Sequence, residues 1–210
     1  MPQTPSDIPN PSVRRLSLYL RQLDALLASD TNTVSSKTLA ESLGLTDAQV
    51  RKDLAYFGQF GRPGVGYEVP SLIKQIKTIL GTDRVTPTIL IGVGNLGRAV
   101  SAYQGFTSKG FNLVAILDAD PKKLNKKVGS LTVQSIDALE TTIKKLKVRL
   151  AILAVPATAA QPIIDRLAAT PVKGVLNFAP VALKPPPNLA VHNLDVAAEL
   201  EQLLFLTRTN

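Results

Sequence analysis

Residues 91–97 read Ile91-Gly92-Val93-Gly94-Asn95-Leu96-Gly97 and place the spacing G-x-G-x-x-G directly behind the apolar run 88–91. The run predicts a buried strand and the residues that follow predict a helix, so the glycines fall in the turn between them. In such a turn Gly92 permits the sharp bend, Gly94 lets the backbone approach a pyrophosphate, and Gly97 lets the helix pack closely on the strand. Free N–H groups at the helix start then face the anion. We interpret the stretch as a dinucleotide-binding turn; glycines that serve the turn alone are the alternative.

The acidic residue at position 118 supplies the second part of this signature. Asp118 follows the next apolar run and stands 21 residues beyond Gly97, where an acidic side chain accepts hydrogen bonds from the adenosine ribose hydroxyls. A negative charge there repels a 2′-phosphate, which favours NAD over NADP. Lys122 and Lys123 lie close enough in sequence to weaken that preference, but we interpret them, like the other lysines of 122–127, as a solvated surface.

The segments around this turn alternate between strand and helix patterns. Apolar runs at 112–117, 150–155 and 174–178 each predict a buried strand, and the segments between them have helical spacing. This alternation predicts an α/β fold, with a doubly wound parallel sheet of Rossmann type and helices on both faces. A short strand at 190–193 and a final helix from Asp195 to about residue 207 complete the pattern.

The chain before residue 80 has a different pattern, in which helices dominate. Apolar residues at three-and-four spacing predict a first helix over 13–27. Ser35 caps a second helix that Gly44 ends, and a third, threonine-capped helix follows over 47–57. Two helices joined by a short glycine turn are typical of a helix-turn-helix, and the glycine-rich stretch 58–67 predicts a hairpin, or wing, behind it.

A winged helix of this kind predicts contact with DNA. The second helix of the motif enters the major groove, and the wing reaches the minor groove or the backbone. The residues that we predict to contact DNA are Gln49, Arg51, Lys52, Tyr56 and Arg62. Three-helix units with this spacing also serve as plain packing modules, so that alternative stays open at this point.

Four segments result from these patterns. We predict a disordered, proline-rich leader over 1–12, a winged-helix domain over 13–80, a Rossmann domain over 81–194 and a C-terminal helix over 195–210. The last helix carries apolar side chains around much of its circumference, namely Val196, Leu200, Leu203, Leu204 and Leu206. A terminal helix with so many apolar side chains needs a partner to cover them. We therefore predict a homodimer formed through this helix.

Composition excludes several classes of site and partner. The chain has no cysteine, so it has no disulfide, thiol nucleophile or cysteine metal site, and we expect a cytoplasmic protein without a metal centre. Its longest apolar runs are far shorter than the roughly 20 residues that a membrane span needs. The net charge is +8, of which +2 falls on 1–80 and +6 on 81–210, so the excess does not mark the DNA-binding helix.

Taken together, these residues resemble the Rex family of redox-sensing transcriptional repressors, from about residue 13 to the end of the chain. The pieces that carry the resemblance are Tyr19-Leu20-Arg21, Gln49-Val50-Arg51-Lys52-Asp53-Leu54, Tyr56-Phe57-Gly58, Gly64-Val65-Gly66-Tyr67, Gly94-Asn95-Leu96-Gly97, Asp118 with Asp120-Pro121, Asn177-Phe178-Ala179-Pro180 and Asn193-Leu194-Asp195. The resemblance implies a homodimer with exchanged C-terminal helices. It further implies a repressor that binds palindromic operator DNA when NAD is in excess and leaves it when NADH occupies the Rossmann domain.

The resemblance also implies roles for single residues. Tyr103 would lie beside the nicotinamide, and Val155-Pro156 with Asn177-Phe178-Ala179 would line the same pocket. Arg21 and Asp195 would form a redox-dependent contact between the DNA-binding domain and the exchanged helix. Two positions depart from the family pattern. Val196 stands where a phenylalanine can follow the aspartate, and Pro63 replaces the more usual basic or small residue of the wing.

Two other functions compete with this one. An NAD-dependent oxidoreductase would need a substrate domain and a catalytic acid or base, yet a single helix follows the Rossmann unit. The lone His192 is better explained as structural, and Asp195 is equally well explained as a helix cap. We therefore predict that the chain is not an enzyme. The second competitor is a module that binds CoA or another adenine nucleotide without DNA, and the helix-turn-helix argues against it.

Overall fold

A computed structural model of the chain describes residues 8–62 and 64–208. Within these ranges the chain forms two compact units, divided between Arg84 and Val85. The first unit is mainly helical, and the second is built around a mostly parallel sheet. None of the helices in the described ranges combines the length and the apolar character that crossing a membrane requires.

The first unit contains the helix-turn-helix. Its described elements in chain order are α1 (Asn10–Ala28), β1 (Thr33–Val34), α2 (Ser36–Glu41), α3 (Asp47–Ala55), β2 (Tyr67–Glu68) and α4 (Val69–Leu80). The side chains of Ser35 and Thr46 cap α2 and α3 by accepting hydrogen bonds from backbone N–H groups in the first turns. Gly44 takes a φ of +64° between the two helices, a conformation that glycine adopts without steric cost. The predicted helix-turn-helix is therefore present.

One apolar core holds these elements together. Tyr19 on α1, Val50 on α3 and Ile76 on α4 are fully buried in it. Burial of each large apolar side chain contributes roughly 1.5–3 kcal/mol. Because Val50 is buried while Arg51 and Lys52 are exposed, α3 packs through one face and presents its cations on the other.

The first unit differs from the sequence prediction at its start and in its wing. α1 begins at Asn10 with a proline in its first turn, so residues 10–12 of the predicted leader are helical, and residues 1–7 lie outside the described ranges. Proline fits there because the N–H groups of a first turn have no helical partner. In the predicted wing, Arg62 and Gly66 form an antiparallel bridge, and β2 behind it pairs with β1. Strands of two residues have no periodicity for sequence analysis to detect.

The second unit contains the parallel sheet. Its described strands are β3 (Thr86–Ile91), β4 (Phe111–Asp118), β5 (Lys127–Val128), β6 (Leu131–Ser135), β7 (Leu150–Leu153), β8 (Gly174–Asn177) and β9 (Ala190–Asn193). Its described helices are α5 (Asn95–Ser101), α6 (Gly105–Ser108), α7 (Leu139–Leu146), α8 (Ala157–Ala168) and α9 (Val196–Thr207). The strand order is β5-β6-β4-β3-β7-β8-β9, and every neighbouring pair is parallel except β5 and β6. The predicted doubly wound α/β sheet is confirmed.

The order of the strands reverses between β3 and β7. The chain runs outward from β3 through β4 to β6, returns to β7, and then runs outward through β8 on the other side. At such a reversal a crevice forms outside the carboxyl ends of the strands, and ligands of α/β proteins bind there. The glycine turn follows β3. The other predicted nucleotide-site residues lie at the same ends: Asp118 ends β4, residues 155–156 follow β7, and residues 177–179 begin at the last residue of β8. Tyr103 follows α5.

Two apolar clusters cover the faces of this sheet. Ile89 and Ile91 of β3 belong to one cluster and Leu90 to the other, as alternation along a strand requires. The sequence analysis missed β5 and β6, because β5 has two residues and β6 mixes polar with apolar side chains near the sheet edge. α9 has the predicted position, and none of its described residues is buried.

Candidate functional site

Three glycines shape the turn between β3 and α5. Gly92 has a φ of +94°, and a side-chain carbon there would overlap the Ala154 carbonyl oxygen. A side-chain carbon at Gly97 would overlap the Gly92 carbonyl oxygen. At Gly94, the N-cap of α5, the described residues beyond its chain neighbours place no heavy atom within 4 Å of the corresponding position. The fold therefore requires Gly92 and Gly97, whereas the space in front of Gly94 is open to a ligand.

Asp118 fixes this turn from the end of β4. Its Oδ2 accepts a hydrogen bond from the Val93 N–H at 2.7 Å and one from Lys123 Nζ at 3.1 Å, while its Oδ1 accepts from the Asp120 N–H at 2.8 Å. Burial alone would raise the pKa of Asp118, but these three hydrogen bonds lower it, so the carboxylate is ionised at neutral pH. A carboxylate has about four lone-pair positions, and the three donors leave one, on Oδ1. Asp118 therefore holds the turn, and these three donors leave one acceptor position on Oδ1.

Lys123 forms an ion pair with Asp118, so our interpretation of this lysine as part of a solvated surface is wrong. A 3₁₀ turn at Pro121–Lys123 bends the chain back and brings the ammonium to the end of β4. The lysine is only half-exposed there. Its charge offsets that of Asp118, which weakens the repulsion of a 2′-phosphate that Asp118 alone would exert.

We expect Lys123→Ala to increase the preference for NADH over NADPH about tenfold, which corresponds to roughly 1.4 kcal/mol. Without the ammonium, the Asp118 carboxylate repels the 2′-phosphate more strongly, while its hydrogen bonds from Val93 and Asp120 remain. Titration of the purified variant with each nucleotide measures the ratio of the two dissociation constants. Lys122→Ala is the matched control, because Lys122 is exposed and carries the same charge one residue away. An unchanged ratio in the Lys123 variant would show that Asp118 does not face the ribose.

A groove of about 330 Å³ opens beside the glycine turn. Apolar groups of Val93, Val128 and Val133 line part of it. Four cationic side chains also line it: Arg98, Lys123, Lys126 and Lys127. Apolar walls with a few charged groups suit an adenosine that carries phosphates. None of these four cations was predicted as a site residue, although the three lysines closely follow Asp118 and so remain near the same end of the sheet.

Residues 177–179 follow the carboxyl end of β8. The buried Asn177 amide donates hydrogen bonds to the Ala179 carbonyl oxygen at 3.1 Å and to Asn193 Oδ1 at 2.9 Å, and its Oδ1 accepts from the Ala179 N–H. These bonds tie the loop behind β8 to β9. Residues 155–156 follow β7 in the same way, and Pro156 is the N-cap of α8. The structure thus places both predicted pocket segments beyond the same ends of the strands as the glycine turn.

Tyr103 lies directly after α5 and is 59% exposed. Its ring packs edge-on against Phe106, with 5.1 Å between the ring centroids. A side-chain carbon at Gly105 would overlap the ring, so the glycine gives the tyrosine room to lie close to the backbone. The ring is therefore supported on one side and remains largely accessible.

The predicted DNA-contacting residues lie on α3 and in the turn behind it. Lys52 and Arg62 are exposed, and Tyr56 is the half-buried C-cap of α3. Arg51 donates hydrogen bonds to Asp47 Oδ2 at 2.6 Å and to Ser36 Oγ at 3.1 Å, which hold its guanidinium beside the start of α2. The predicted departure at Pro63 lies outside the described residues.

A buried carboxylate joins α3 to α1. Asp53 is fully buried and, within the described residues, accepts hydrogen bonds from Ser12, Arg15, Tyr19 and Gln49. The sequence analysis gave Asp53 no role, because an acidic residue beside a lysine on a helix has the same pattern as a surface acid. Its partners lie 34 to 41 residues away along the chain, apart from Gln49.

The two residues of the predicted switch occupy different units. Arg21 is exposed on α1. Asp195 Oδ1 accepts hydrogen bonds from the Ala197 and Ala198 N–H groups, which confirms it as the cap of α9. Its predicted contact with Arg21 stays a prediction. His192 is exposed on β9, the last strand of the sheet.

Comparison with known proteins finds two family models on this chain. The model described as "CoA binding domain" matches residues 83–181, and the model described as "Putative DNA-binding protein N-terminus" matches residues 7–55. The first covers the glycine turn and the strands from β3 to β8. The second covers the helix-turn-helix.

Curated proteins match the chain over nearly its full length. The Redox-sensing transcriptional repressor Rex of Carboxydothermus hydrogenoformans is 44% identical over 201 residues, which are 96% of this chain and 97% of that protein. The Redox-sensing transcriptional repressor Rex of Thermosipho africanus is 40% identical over 97% of both chains.

Solved structures also match the chain over nearly its full length. A crystal structure of RSP in complex with beta-NAD+ and operator DNA has a TM-score of 0.90 and 36% identity, and the match covers 95% of this chain and 92% of that one. A crystal structure of RSP in complex with beta-NADH has a TM-score of 0.86 and 34% identity, with 98% of this chain and 95% of that one covered.

Proposed function

The chain belongs to the Rex family of redox-sensing transcriptional repressors, and we propose that it binds palindromic operator DNA through its first unit and leaves the DNA when NADH binds its second unit. The observation that carries the proposal is the presence, in one chain, of the open glycine turn at Gly94 and a helix-turn-helix with exposed cations on α3. Curated relatives that match over nearly full length are repressors and not enzymes.

The proposed nucleotide site follows the carboxyl ends of the strands. The glycine turn and the start of α5 would hold the pyrophosphate, because the first N–H groups of a helix have no helical partner. Asp118 would accept one ribose hydroxyl on Oδ1, and the cationic groove would hold the adenosine half. The nicotinamide half would lie towards Tyr103, residues 155–156 and residues 177–179. The bound nucleotide takes part in no reaction in this proposal, because its redox state is the signal that the protein senses.

The two redox forms differ in charge, which gives the protein a way to distinguish them. NAD carries a positive nicotinamide and NADH a neutral one, and burial of an unpaired cation in an apolar pocket is costly. A closed pocket therefore favours NADH. If NADH and operator DNA prefer different arrangements of the same protein, each must weaken the binding of the other by the same factor. A hundredfold preference corresponds to about 2.7 kcal/mol of coupling.

The proposed repressor is a homodimer, which matches the symmetry of a palindromic operator. α9 supports this part of the proposal, because six apolar side chains on it are 56% to 70% exposed: Val196, Leu200, Leu203, Leu204, Phe205 and Leu206. Apolar exposure on this scale is typical of an interface. We also propose a cytoplasmic location, since a bacterial repressor must reach the chromosome.

We expect Leu203→Asp combined with Leu204→Asp to convert the dimer into monomers at micromolar concentration, since burial of two new carboxylates opposes association. Loss of the dimer should also lower the affinity for operator DNA, because one monomer reaches only one half-site. Sedimentation equilibrium measures the mass directly. Glu201→Gln, which alters an already polar position of the same helix, should remain a dimer. A double variant that stays dimeric would place the interface elsewhere.

The proposed function is tested by an electrophoretic shift assay with a palindromic operator selected by the protein itself from random duplexes. Specific binding without nucleotide or with NAD, and its loss with NADH, is the expected result. The absence of specific binding under every nucleotide condition would favour a module for adenine nucleotides, and CoA serves as the competitor that identifies it. Turnover of NADH with a carbonyl substrate would favour an oxidoreductase.

A further inference from the structure

Gln49 is held by Asp53, its neighbour one turn along α3. Gln49 Nε2 donates a hydrogen bond to Asp53 Oδ1 at 2.8 Å, and Gln49 is itself half-buried. Gln49 was predicted from the sequence to contact DNA, and in the structure one of its amide hydrogens is already bound within the protein. The direction of this amide is therefore constrained before any contact with DNA.

The partner of this amide is an ionised carboxylate. Burial alone would raise the pKa of Asp53, but hydrogen bonds from Arg15, Tyr19, Ser12 and Gln49 lower it to about 2. Arg15 binds both carboxylate oxygens, at 2.5 Å through Nε and at 2.7 Å through a terminal nitrogen. An ionised carboxylate accepts hydrogen bonds and donates none. Asp53 therefore has to face the NH₂ group of Gln49.

The orientation of the Gln49 amide follows from this pairing. A flipped amide would place its carbonyl oxygen against the ionised Asp53 carboxylate, which repels it. The donors on α1 stabilise the carboxylate in place: Ser12 Oγ at 2.9 Å, Tyr19 Oη at 2.6 Å and the Arg15 guanidinium. Gln49 Oε1 accordingly faces away from the Asp53 carboxylate.

We propose that Asp53 is a positioning residue for operator specificity, which presents Gln49 Oε1 to the DNA as a fixed hydrogen-bond acceptor. In the major groove only adenine N6 and cytosine N4 are donors, whereas guanine and thymine offer acceptors. A contact through Oε1 therefore requires an adenine or a cytosine amino group at the position that Gln49 reaches. This inference rests on the proposed function, since it requires α3 to enter the major groove.

Deletion of single amino groups from the operator tests the inference. In a half-site selected by the protein, each adenine is replaced in turn by purine, which lacks N6, and each cytosine by 2-pyrimidinone, which lacks N4. At one position per half-site the loss should weaken binding of the parent protein about fivefold, the effect of one hydrogen bond of roughly 1 kcal/mol. The same deletion should change binding by Gln49→Met less than twofold, because the acceptor is already absent.

Asp53→Asn tests the positioning role itself. The amide that this substitution introduces can donate as well as accept, so the Gln49 amide is free to flip and the fivefold penalty should shrink towards twofold. A general loss of structure would weaken binding to every operator alike and would lower NADH affinity, whereas the expected change is confined to one base position. Gln49→Met keeps the inference testable even if Asp53→Asn does not fold, since Gln49 is only half-buried.

The outcomes separate this inference from the proposed function. Suppose that the parent protein binds its operator and NADH releases it, but that no amino-group deletion causes a loss of affinity that depends on Gln49. The positioning inference is then overturned and the repressor function stands. If the parent protein binds no operator under any nucleotide condition, both are overturned. A penalty at one position that disappears in Gln49→Met and shrinks in Asp53→Asn supports both.

Discussion

Gly94→Val is expected to leave a repressor that stays on operator DNA at NADH concentrations that release the parent protein. The valine would occupy the open space in front of the glycine turn, where the described residues beyond the neighbouring backbone place no heavy atom within 4 Å of its first side-chain carbon, and would exclude the pyrophosphate. NADH affinity should fall more than a hundredfold, or by about 2.7 kcal/mol. The φ of Gly94 is −73°, so a side chain causes no backbone strain and the thermal midpoint should shift by no more than about 2 °C. Calorimetric titration with NADH and a thermal melt measure the two effects.

Gly97→Ala is the contrasting variant. Its new side-chain carbon would overlap the Gly92 carbonyl oxygen, so the turn must move and the second unit loses stability. The two glycines lie three residues apart in one motif, yet one variant should fail in ligand binding and the other in folding. A Gly94→Val protein that responds normally to NADH would place the nucleotide somewhere other than this turn.

Arg51→Ala and Lys52→Ala are expected to weaken operator binding by about 10- to 100-fold each and to leave NADH affinity unchanged. A bidentate arginine contact with a base is worth roughly 1–3 kcal/mol, and Arg51 is oriented in advance by Asp47 and Ser36. Lys52 is exposed, and we expect it to act mainly on the phosphates. Its removal should therefore weaken all duplexes similarly and reduce the slope of log affinity against log salt by about one.

Fluorescence anisotropy with operator and with a scrambled duplex, at several salt concentrations, separates these two effects. Lys74→Ala is the control, because it removes an exposed cation from α4, outside the helix-turn-helix. Loss of NADH affinity in the α3 variants, with operator binding intact, would contradict the assignment of the two units.

The sequence predicted the central sheet well because its signals are local. The glycine spacing behind β3 and the apolar runs of β4, β7 and β8 are each readable within a few residues. β1 and β2 are two residues long and pair with each other although they lie far apart in the chain, which a local pattern does not show. β5 is equally short and pairs with the nearby β6 across a tight turn. β7 ends at Leu153, before the predicted residue 155, because the chain turns there towards α8.

The site was less predictable where function depends on how one side chain meets another. The spacing identified Asp118 but not its pairing with Lys123, which a 3₁₀ turn creates. It identified Gln49 as a polar residue on a recognition helix but not the direction of its amide, which depends on Asp53 and on donors from α1. Residue type and position follow from sequence, whereas hydrogen-bond direction follows from tertiary packing.

The central claim is that one chain couples a nucleotide site to a DNA site, and the affinity for NADH with and without bound operator tests it most directly. The account predicts that saturating operator weakens NADH binding by the same factor by which NADH weakens operator binding, and that the corresponding factor for NAD is much smaller. Equal NADH affinity for the free and the operator-bound protein would contradict the coupling, even if both ligands bind.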